Sequence, residues 1–142
     1  RKIFKPRIKH MFEEFRKVRP GLKIAWHSCG SILPIIPDFI EVGLDILNPI
    51  QPLAEGMDPL FLKKNFGRDL VFFGGIDIQQ LLPFGTPQMI KDEVRRRIDI
   101  LGKDGGYIVA PAHNIQPDTP VENVLAFFEA AINPFQVYLN SA

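Results

Sequence analysis

Apolar residues recur along the chain with two different spacings, and these predict alternating helices and strands. In the first segment they follow three- and four-residue steps, the spacing of one helical face, as far as about Arg19. That stripe consists of Phe4, Ile8, Met11, Phe12, Phe15 and Val18. Short apolar runs between turn residues predict strands at residues 23–27, 44–48, 70–73 and 107–110.

Signals for helix starts and stops fill the intervals between these strands. The predicted helices cover residues 31–42, 58–67 and 86–102, and a last helix starts near 119. Asp58 is a suitable N-cap residue, and Pro59 after it suits the first position of the helix. Thr119 and Glu122 have the capping-box spacing. The apolar face predicted for the last helix is Val121, Val124, Leu125 and Phe128. The tail after Asn133 has no clear pattern.

Strands that alternate with helices predict an α/β domain with a parallel sheet. Two architectures accommodate four such units after an opening helix. One is a small doubly wound sheet, and the other is half of a (β/α)8 barrel, whose full form takes about 250 residues. The chain has no initiator Met and begins inside a predicted helix, which favours the half barrel. We therefore predict a single domain over residues 1–142, the C-terminal half of a TIM barrel.

Composition and charge exclude several classes of protein. The chain is 46% hydrophobic and 23% charged, which is typical of a folded domain. A net charge of +1 argues against a nucleic-acid binder, and no apolar run reaches the roughly 18 residues of a membrane helix. The single cysteine excludes an internal disulfide. The start lacks the apolar region of a signal peptide, so we expect a cytoplasmic location.

The polar residues of interest follow the strands, where parallel α/β folds gather their chemistry. His27 and Cys29 come directly after the first strand, and an imidazole and a thiolate are both good zinc ligands. His113 follows the fourth strand. We expect this strand to lie beside the first strand, so His113 is the third candidate ligand. Glu55 or Asp77 would be a fourth ligand or a hydrogen-bond partner of one.

Two alternatives remain open at this point. The alternative to a metal site is that Cys29 is a small buried residue and that His27 is a hydrogen-bonded core residue or a substrate contact. Gly74-Gly75 either allows a ligand to approach the backbone closely or forms a tight turn. The chain contains no glycine-rich phosphate motif of the nucleotide-binding type.

The motifs around these residues resemble the uroporphyrinogen decarboxylase superfamily. The superfamily contains the decarboxylase and zinc-dependent methyltransferases that use methylated corrinoid proteins. The resembling segments are H-S-C-G at residues 27–30, G-L-D-I-L-N at 43–48, F-G-G-I-D at 73–77, G-Y-I-V-A-P-A-H-N-I at 106–115 and T-P-V-E-N at 119–123. The resemblance covers nearly the whole chain and implies the C-terminal half of a (β/α)8 barrel.

The two branches of the superfamily imply different chemistry. In the methyltransferases, an H-x-C step and a later cysteine hold zinc, which activates an acceptor thiol. Here His27 and Cys29 match the first two ligands, and His113 occupies the position of the later cysteine. In the decarboxylase, a histidine in this region contacts the tetrapyrrole, and His113 matches it. The H-x-C-G step favours the methyltransferase branch.

The predicted site combines metal ligands, catalytic groups and substrate contacts. The metal ligands are His27, Cys29 and His113, and the catalytic groups are His113 and Asp77. The predicted substrate contacts lie at the same strand ends: Asn48, Gln51, Gly75 and Asn114. The predicted cofactors are zinc and a corrinoid on a partner protein, and the substrate is a small molecule or a tetrapyrrole. A non-catalytic scaffold is a further alternative, and half a barrel with open edges predicts a homo-oligomer.

Overall fold

Helices and parallel strands alternate along the chain, as the apolar spacings predict. The structure is a computed structural model that describes residues 1–132. The helices are α1 (Phe4–Val18), α2 (Ile36–Glu41), α3 (Pro59–Phe66), α4 (Leu81–Phe84), α5 (Pro87–Leu101) and α6 (Val121–Ile132). The strands are β1 (Ala25–His27), β2 (Ile46–Ile50), β3 (Val71–Ile76) and β4 (Tyr107–Pro111). The uncertain tail after Asn133 lies outside the described residues.

The strands form one parallel sheet in sequence order, β1-β2-β3-β4. This confirms the prediction of an α/β fold with parallel strands. Trp26, Leu47 and Phe72 lie side by side in register on one face of the sheet. His27 follows Trp26 and Asn48 follows Leu47, and these two residues are also paired in register. Their side chains point to the opposite face, because side chains alternate along a strand.

The main core lies between the first face and the helices. Phe12 of α1 packs edge-on against Trp26, with ring centroids 5.9 Å apart, and Phe39 of α2 lies 6.3 Å from the same indole. Leu62 of α3 and Leu101 of α5 are fully buried in this cluster. Burial of these apolar groups is the main term that stabilises the sheet-and-helix layer.

Helix α6 buries a different face from the predicted one. The prediction that Val121, Leu125 and Phe128 face the core is wrong, because these side chains are 70%, 56% and 49% exposed. The buried face is Asn123, Ala126, Phe127 and Ala130. Asn123 explains this orientation, since its Nδ2 donates to the carbonyls of Leu82 and Gly85 at 2.9 and 2.8 Å.

The predicted capping box at the start of α6 is also wrong. The Thr119 Oγ1 atom is buried and has no hydrogen-bond partner among the described residues. The first turn instead uses the Pro120 carbonyl, which accepts from the backbone N–H groups of Asn123 and Val124.

Several element boundaries differ from the sequence pattern. Strand β2 begins two residues later than predicted, at Ile46, and the Asp45 carboxylate just before it accepts from the Ile24 N–H. Strand β3 continues through Gly74 and Gly75 to Ile76. The helix predicted over residues 31–42 is a 3-10 turn, Leu33–Ile35, followed by the short α2. Within residues 1–132, no helix has the length and apolar character needed to cross a membrane.

Candidate metal centre

The predicted metal ligands come together at the carboxyl ends of the strands. His27 is the last residue of β1, Cys29 follows in the next turn, and His113 lies just after β4. The ligand atoms that these three residues offer all lie within 4.8 Å of one another. The His27 Nε2 and Cys29 Sγ atoms are 3.0 Å apart, and the two imidazole rings meet edge to face with centroids 5.9 Å apart. All three side chains are exposed.

The expectation that the first and fourth strands are neighbours is wrong. In the described sheet β1 and β4 are the two outermost strands, with β2 and β3 between them. The His27 and His113 rings nevertheless meet, with centroids 5.9 Å apart, so the sheet curves and brings the ends of its outermost strands together. Such curvature is what a parallel sheet adopts as part of a barrel.

Residues after β2 hold the loop that carries Cys29. The Asn48 Oδ1 atom accepts a hydrogen bond from His27 Nδ1 at 2.7 Å, and the Asn48 carbonyl accepts from the Ser28 N–H at 2.7 Å. The Gln51 Oε1 atom accepts from the Gly30 N–H. Gly30 has φ +84°, a conformation that glycine adopts without strain. The loop geometry is therefore set by contacts from the neighbouring strand end.

The donor set fits a zinc ion. Two imidazole nitrogens and one thiolate are typical zinc ligands, and catalytic zinc sites use three protein ligands and leave one position open. Ligand atoms around one tetrahedral zinc lie roughly 3 to 4 Å apart, because the bonds are about 2.0–2.3 Å long. The observed cluster, whose ligand atoms lie within 4.8 Å of one another, comes close to that spacing.

The cluster opens onto a cavity of about 620 Å³ on the open face of the sheet. His27, Asn48, His113 and Asn114 supply its polar side chains. Its apolar lining is Phe73, Val109, Ala110, Pro111, Ala112, Ile115, Phe127 and Phe128. A cavity of this size and mixed character is typical of a small-ligand site. Among the described residues, the lining contains no Lys, Arg, Asp or Glu.

Asp77, predicted as a catalytic group, lies on a different part of the molecule. Its buried carboxylate accepts backbone hydrogen bonds from Gln79, Gln80 and Leu81 at 2.8–3.0 Å. It lines a separate cavity of about 580 Å³ beside α5, which also includes Arg96. These contacts stabilise the turn that leads into α4, and the catalytic role of Asp77 stays a prediction.

The remaining predicted substrate contacts fall into two groups. Asn114 lines the cavity beside His113. Gly75 is buried, and a Cβ atom there would lie 3.1 Å from the Tyr107 Oη atom and 3.4 Å from Leu101, on the core side. The Tyr107 hydroxyl donates to the Gly74 carbonyl at 2.6 Å, and burial raises the pKa of that phenol above its ordinary value. Gly75 therefore provides room for core packing, and its substrate contact stays a prediction.

Sequence reasoning missed the part that α6 plays in the cavity. Phe127 and Phe128 both line it, although neither residue lies at the end of a strand. Their rings pack edge to face with centroids 5.1 Å apart. The signal in the sequence is the pair of adjacent aromatic residues within a helix. Adjacent helical residues point in different directions, so only one of the two rings can face the core directly.

Comparison with known proteins gives relatives of two kinds. "Uroporphyrinogen decarboxylase 2, chloroplastic" of Arabidopsis thaliana is 30% identical over 128 residues, 89% of this chain and 30% of that protein. "Methylated-thiol--coenzyme M methyltransferase" of Methanosarcina mazei is 27% identical over 104 residues, 73% of this chain and 26% of that protein. The chain thus spans about a third or less of the length of these relatives.

A solved structure and a family profile also match the chain. The structure of a methyltransferase from Methanosarcina mazei superimposes with a TM-score of 0.71 at 24% identity, over 95% of this chain and 36% of that one. The likeness confirms that the fold is part of a (β/α)8 barrel. The profile described as uroporphyrinogen decarboxylase (URO-D) matches residues 1–133. The chain therefore belongs to the uroporphyrinogen decarboxylase family.

Proposed function

We propose that the full-length protein is a zinc-dependent methyltransferase, to which this chain contributes the C-terminal half of the barrel. The methyl donor is a methylated corrinoid on a partner protein, and the acceptor is a small thiol. The observation that carries this proposal is the cluster of His27, Cys29 and His113, whose ligand atoms lie within 4.8 Å of one another. We place the protein in the cytoplasm as part of the same proposal.

The ligand residues would supply one charge and three donor atoms. Bound zinc lowers the pKa of a coordinated thiol, so that the acceptor is present as the nucleophilic thiolate. His27 and His113 remain neutral as ligands, while Cys29 contributes a negative charge. Phe127 and Phe128 contribute to the apolar wall of the cavity and would exclude water from the reacting sulfur. A thiolate that has lost its hydration shell is more reactive.

Metal content of the chain tests the first half of this proposal. We expect about one zinc ion per chain by elemental analysis after purification without chelator. His27→Ala and Cys29→Ala should each lose most of it, because two ligands seldom hold zinc. His10→Ala is the matched control, since His10 is an exposed histidine on α1. Retention of full zinc content in Cys29→Ala would contradict the ligand assignment.

Methyl transfer by the full-length protein tests the second half. With methylcobalamin as donor and a small thiol as acceptor, the wild type should form the thioether and Cys29→Ala should not. Full activity in Cys29→Ala, or an active protein that contains no zinc, would overturn the proposal.

Decarboxylation of a tetrapyrrole is the second candidate function. It is favoured by the plant relative, whose name is that of a decarboxylase, and His113 would then contact the substrate from the cavity wall. A metal-independent decarboxylation of uroporphyrinogen by the full-length protein would support this alternative. A full-length protein inactive in both assays would instead favour a non-catalytic scaffold.

A further inference from the structure

We propose that Asn48 is a positioning residue that fixes the tautomer of the metal ligand His27, with Gln51 holding the adjoining loop. This inference rests on the proposed zinc site and deepens it. It gives Asn48 and Gln51 a role different from the substrate contacts predicted for them. Both act through the H-S-C-G loop, over residues 27–30.

The geometry at His27 defines which ring nitrogen carries the proton. The Asn48 Oδ1 atom lies 2.7 Å from His27 Nδ1, and an amide oxygen can only accept a hydrogen bond. The Nδ1 atom must therefore donate, so in the neutral ring Nε2 carries the free lone pair. The Nε2 atom that carries this lone pair lies 3.0 Å from Cys29 Sγ, another of the proposed ligands.

The backbone of the same residue fixes the loop in register. The Asn48 carbonyl accepts from the Ser28 N–H at 2.7 Å, so one residue of β2 holds two consecutive residues of the loop. His27 and Asn48 are register partners in the parallel pair of β1 and β2. The side-chain contact is therefore formed between two strand residues, which limits how far either can rotate.

Gln51 acts at the other end of the loop. Its Oε1 atom accepts from the Gly30 N–H, just beyond Cys29. The Ser31 hydroxyl then donates to the Glu55 carbonyl at 2.6 Å. Contacts from one strand end and the loop that follows it thus hold the loop on both sides of the thiol. Hydrogen bonds of this kind to ligand residues typically change metal affinity by about 10–100-fold.

The tautomer can be measured directly in the metal-free chain. Two-bond proton–nitrogen correlation spectra of the histidine rings, recorded where the imidazole is neutral, distinguish the two nitrogens. We expect His27 to carry its proton on Nδ1. A proton on Nε2 in the wild-type chain would overturn the proposal, and this result does not depend on whether zinc binds.

Zinc affinity of substituted chains provides the second test. In Asn48→Leu, which has similar volume and no acceptor, we expect the zinc Kd from chelator competition to rise about 10–100-fold. In Asn48→Asp, which keeps an acceptor at Nδ1, it should stay within about threefold of the wild type. Asn65→Leu on α3 is the matched control, since Asn65 is exposed and bonded only to its own helix.

The outcomes separate the positioning role from the metal site and from packing. Equal weakening in Asn48→Leu and Asn48→Asp would mean that the residue acts by packing, and no weakening in either would also overturn the proposal. If Asn48→Leu fails to fold, the wild-type tautomer and the affinity of Asn48→Asp still decide. A wild-type chain that binds no zinc but carries the proton on Nδ1 would count against the methyltransferase proposal and leave the assignment of Asn48 supported.

Discussion

His113 changes the charge of the candidate metal centre. A zinc ion with Cys29 as its single thiolate ligand carries a net charge of about +1, whereas two thiolates would make the centre neutral. A more positive centre stabilises the thiolate of a bound acceptor more strongly, because attraction grows with the charge of the ion. In the proposed methyltransferase, an imidazole at this position would therefore favour activation of the acceptor thiol over tight retention of the metal.

Substitution of His113 by Cys tests this charge argument. We expect His113→Cys to bind zinc more tightly than the wild type. In the cobalt-substituted chain, the thiolate-to-metal charge-transfer absorption should roughly double, because the number of thiolate ligands rises from one to two. His113→Ala should bind the metal more weakly and leave the charge-transfer intensity per bound cobalt unchanged. An unchanged spectrum in His113→Cys would show that residue 113 does not coordinate.

At the scale of elements, Asp45 connects the start of the sheet to α1. Its carboxylate accepts from Arg16 at 2.7 Å, from the Ile24 N–H at 2.9 Å and from Lys23 at 3.1 Å. Burial raises the pKa of this carboxyl, but the hydrogen bonds from Ile24, Lys23 and Arg16 outweigh burial and leave the pKa below its ordinary value of 3.8. Asp45 therefore stabilises the folded chain in its charged form.

Removal of this carboxylate should destabilise the fold. We expect Asp45→Ala to lower the free energy of unfolding by about 1.5–3 kcal/mol, the range for hydrogen bonds to charged groups. Because the folded pKa is below the unfolded one, the contribution is fully present above pH 3.8 and is lost as the pH falls through the lower folded value. Urea denaturation at pH 7 and at pH 2–3 measures both effects. Asp69→Asn, at an exposed aspartate, is the control, and an equal loss at both pH values would contradict the assignment.

Asp77 gives a second prediction at this scale, because its observed contacts are those of a turn. Asp77→Ala should lower the free energy of unfolding by about 0.5–2 kcal/mol, as for the loss of a capping side chain. Zinc affinity should not change, since Asp77 lines a different cavity from the metal cluster. A full-length Asp77→Asn protein that is stable yet inactive would instead support the catalytic role predicted from sequence.

The sequence predicted the elements well, and the faces and partners of their side chains less well. The order of helices and strands followed from apolar spacing and from caps such as Asp58, whose carboxylate accepts from the Phe61 N–H. The buried face of α6 could not be predicted, because Asn123 is polar and its burial depends on the carbonyls of Leu82 and Gly85, about 40 residues away. Hydrophobicity alone favoured the exposed stripe.

The candidate site shows the same division between local and long-range information. His27 and Cys29 are two residues apart, so their proximity could be read from the chain. The approach of His113 depends on the curvature of the whole sheet, because β1 and β4 are not neighbours. The contact of Asn48 with His27 depends on the register of β1 against β2, which the local pattern does not fix.

At the scale of the whole molecule, the described residues expose several large apolar side chains. On α6, Val121, Leu125 and Ile132 are 56–72% exposed, and Phe128, which also lines the candidate cavity, is 49% exposed. Ile108 of β4 is 40% exposed. In the sheet as described, β1 and β4 each pair with one strand only. Relatives about three times as long have further chain available to cover such a face.

The isolated 142-residue chain should therefore associate with itself, because exposed apolar faces and unpaired strand edges both favour contact between copies. Light scattering at micromolar concentration should give a dimer or a larger species. The double variant Val121→Glu/Leu125→Glu places two charges on the α6 face and should shift the chain toward monomer. Lys64→Glu on the exposed surface of α3 changes the net charge by the same two units and should leave association unchanged. A wild-type chain that stays monomeric would mean that the apolar face of α6 is tolerated in water without a partner. Equal dissociation in the control would mean that net charge, and not this face, governs association.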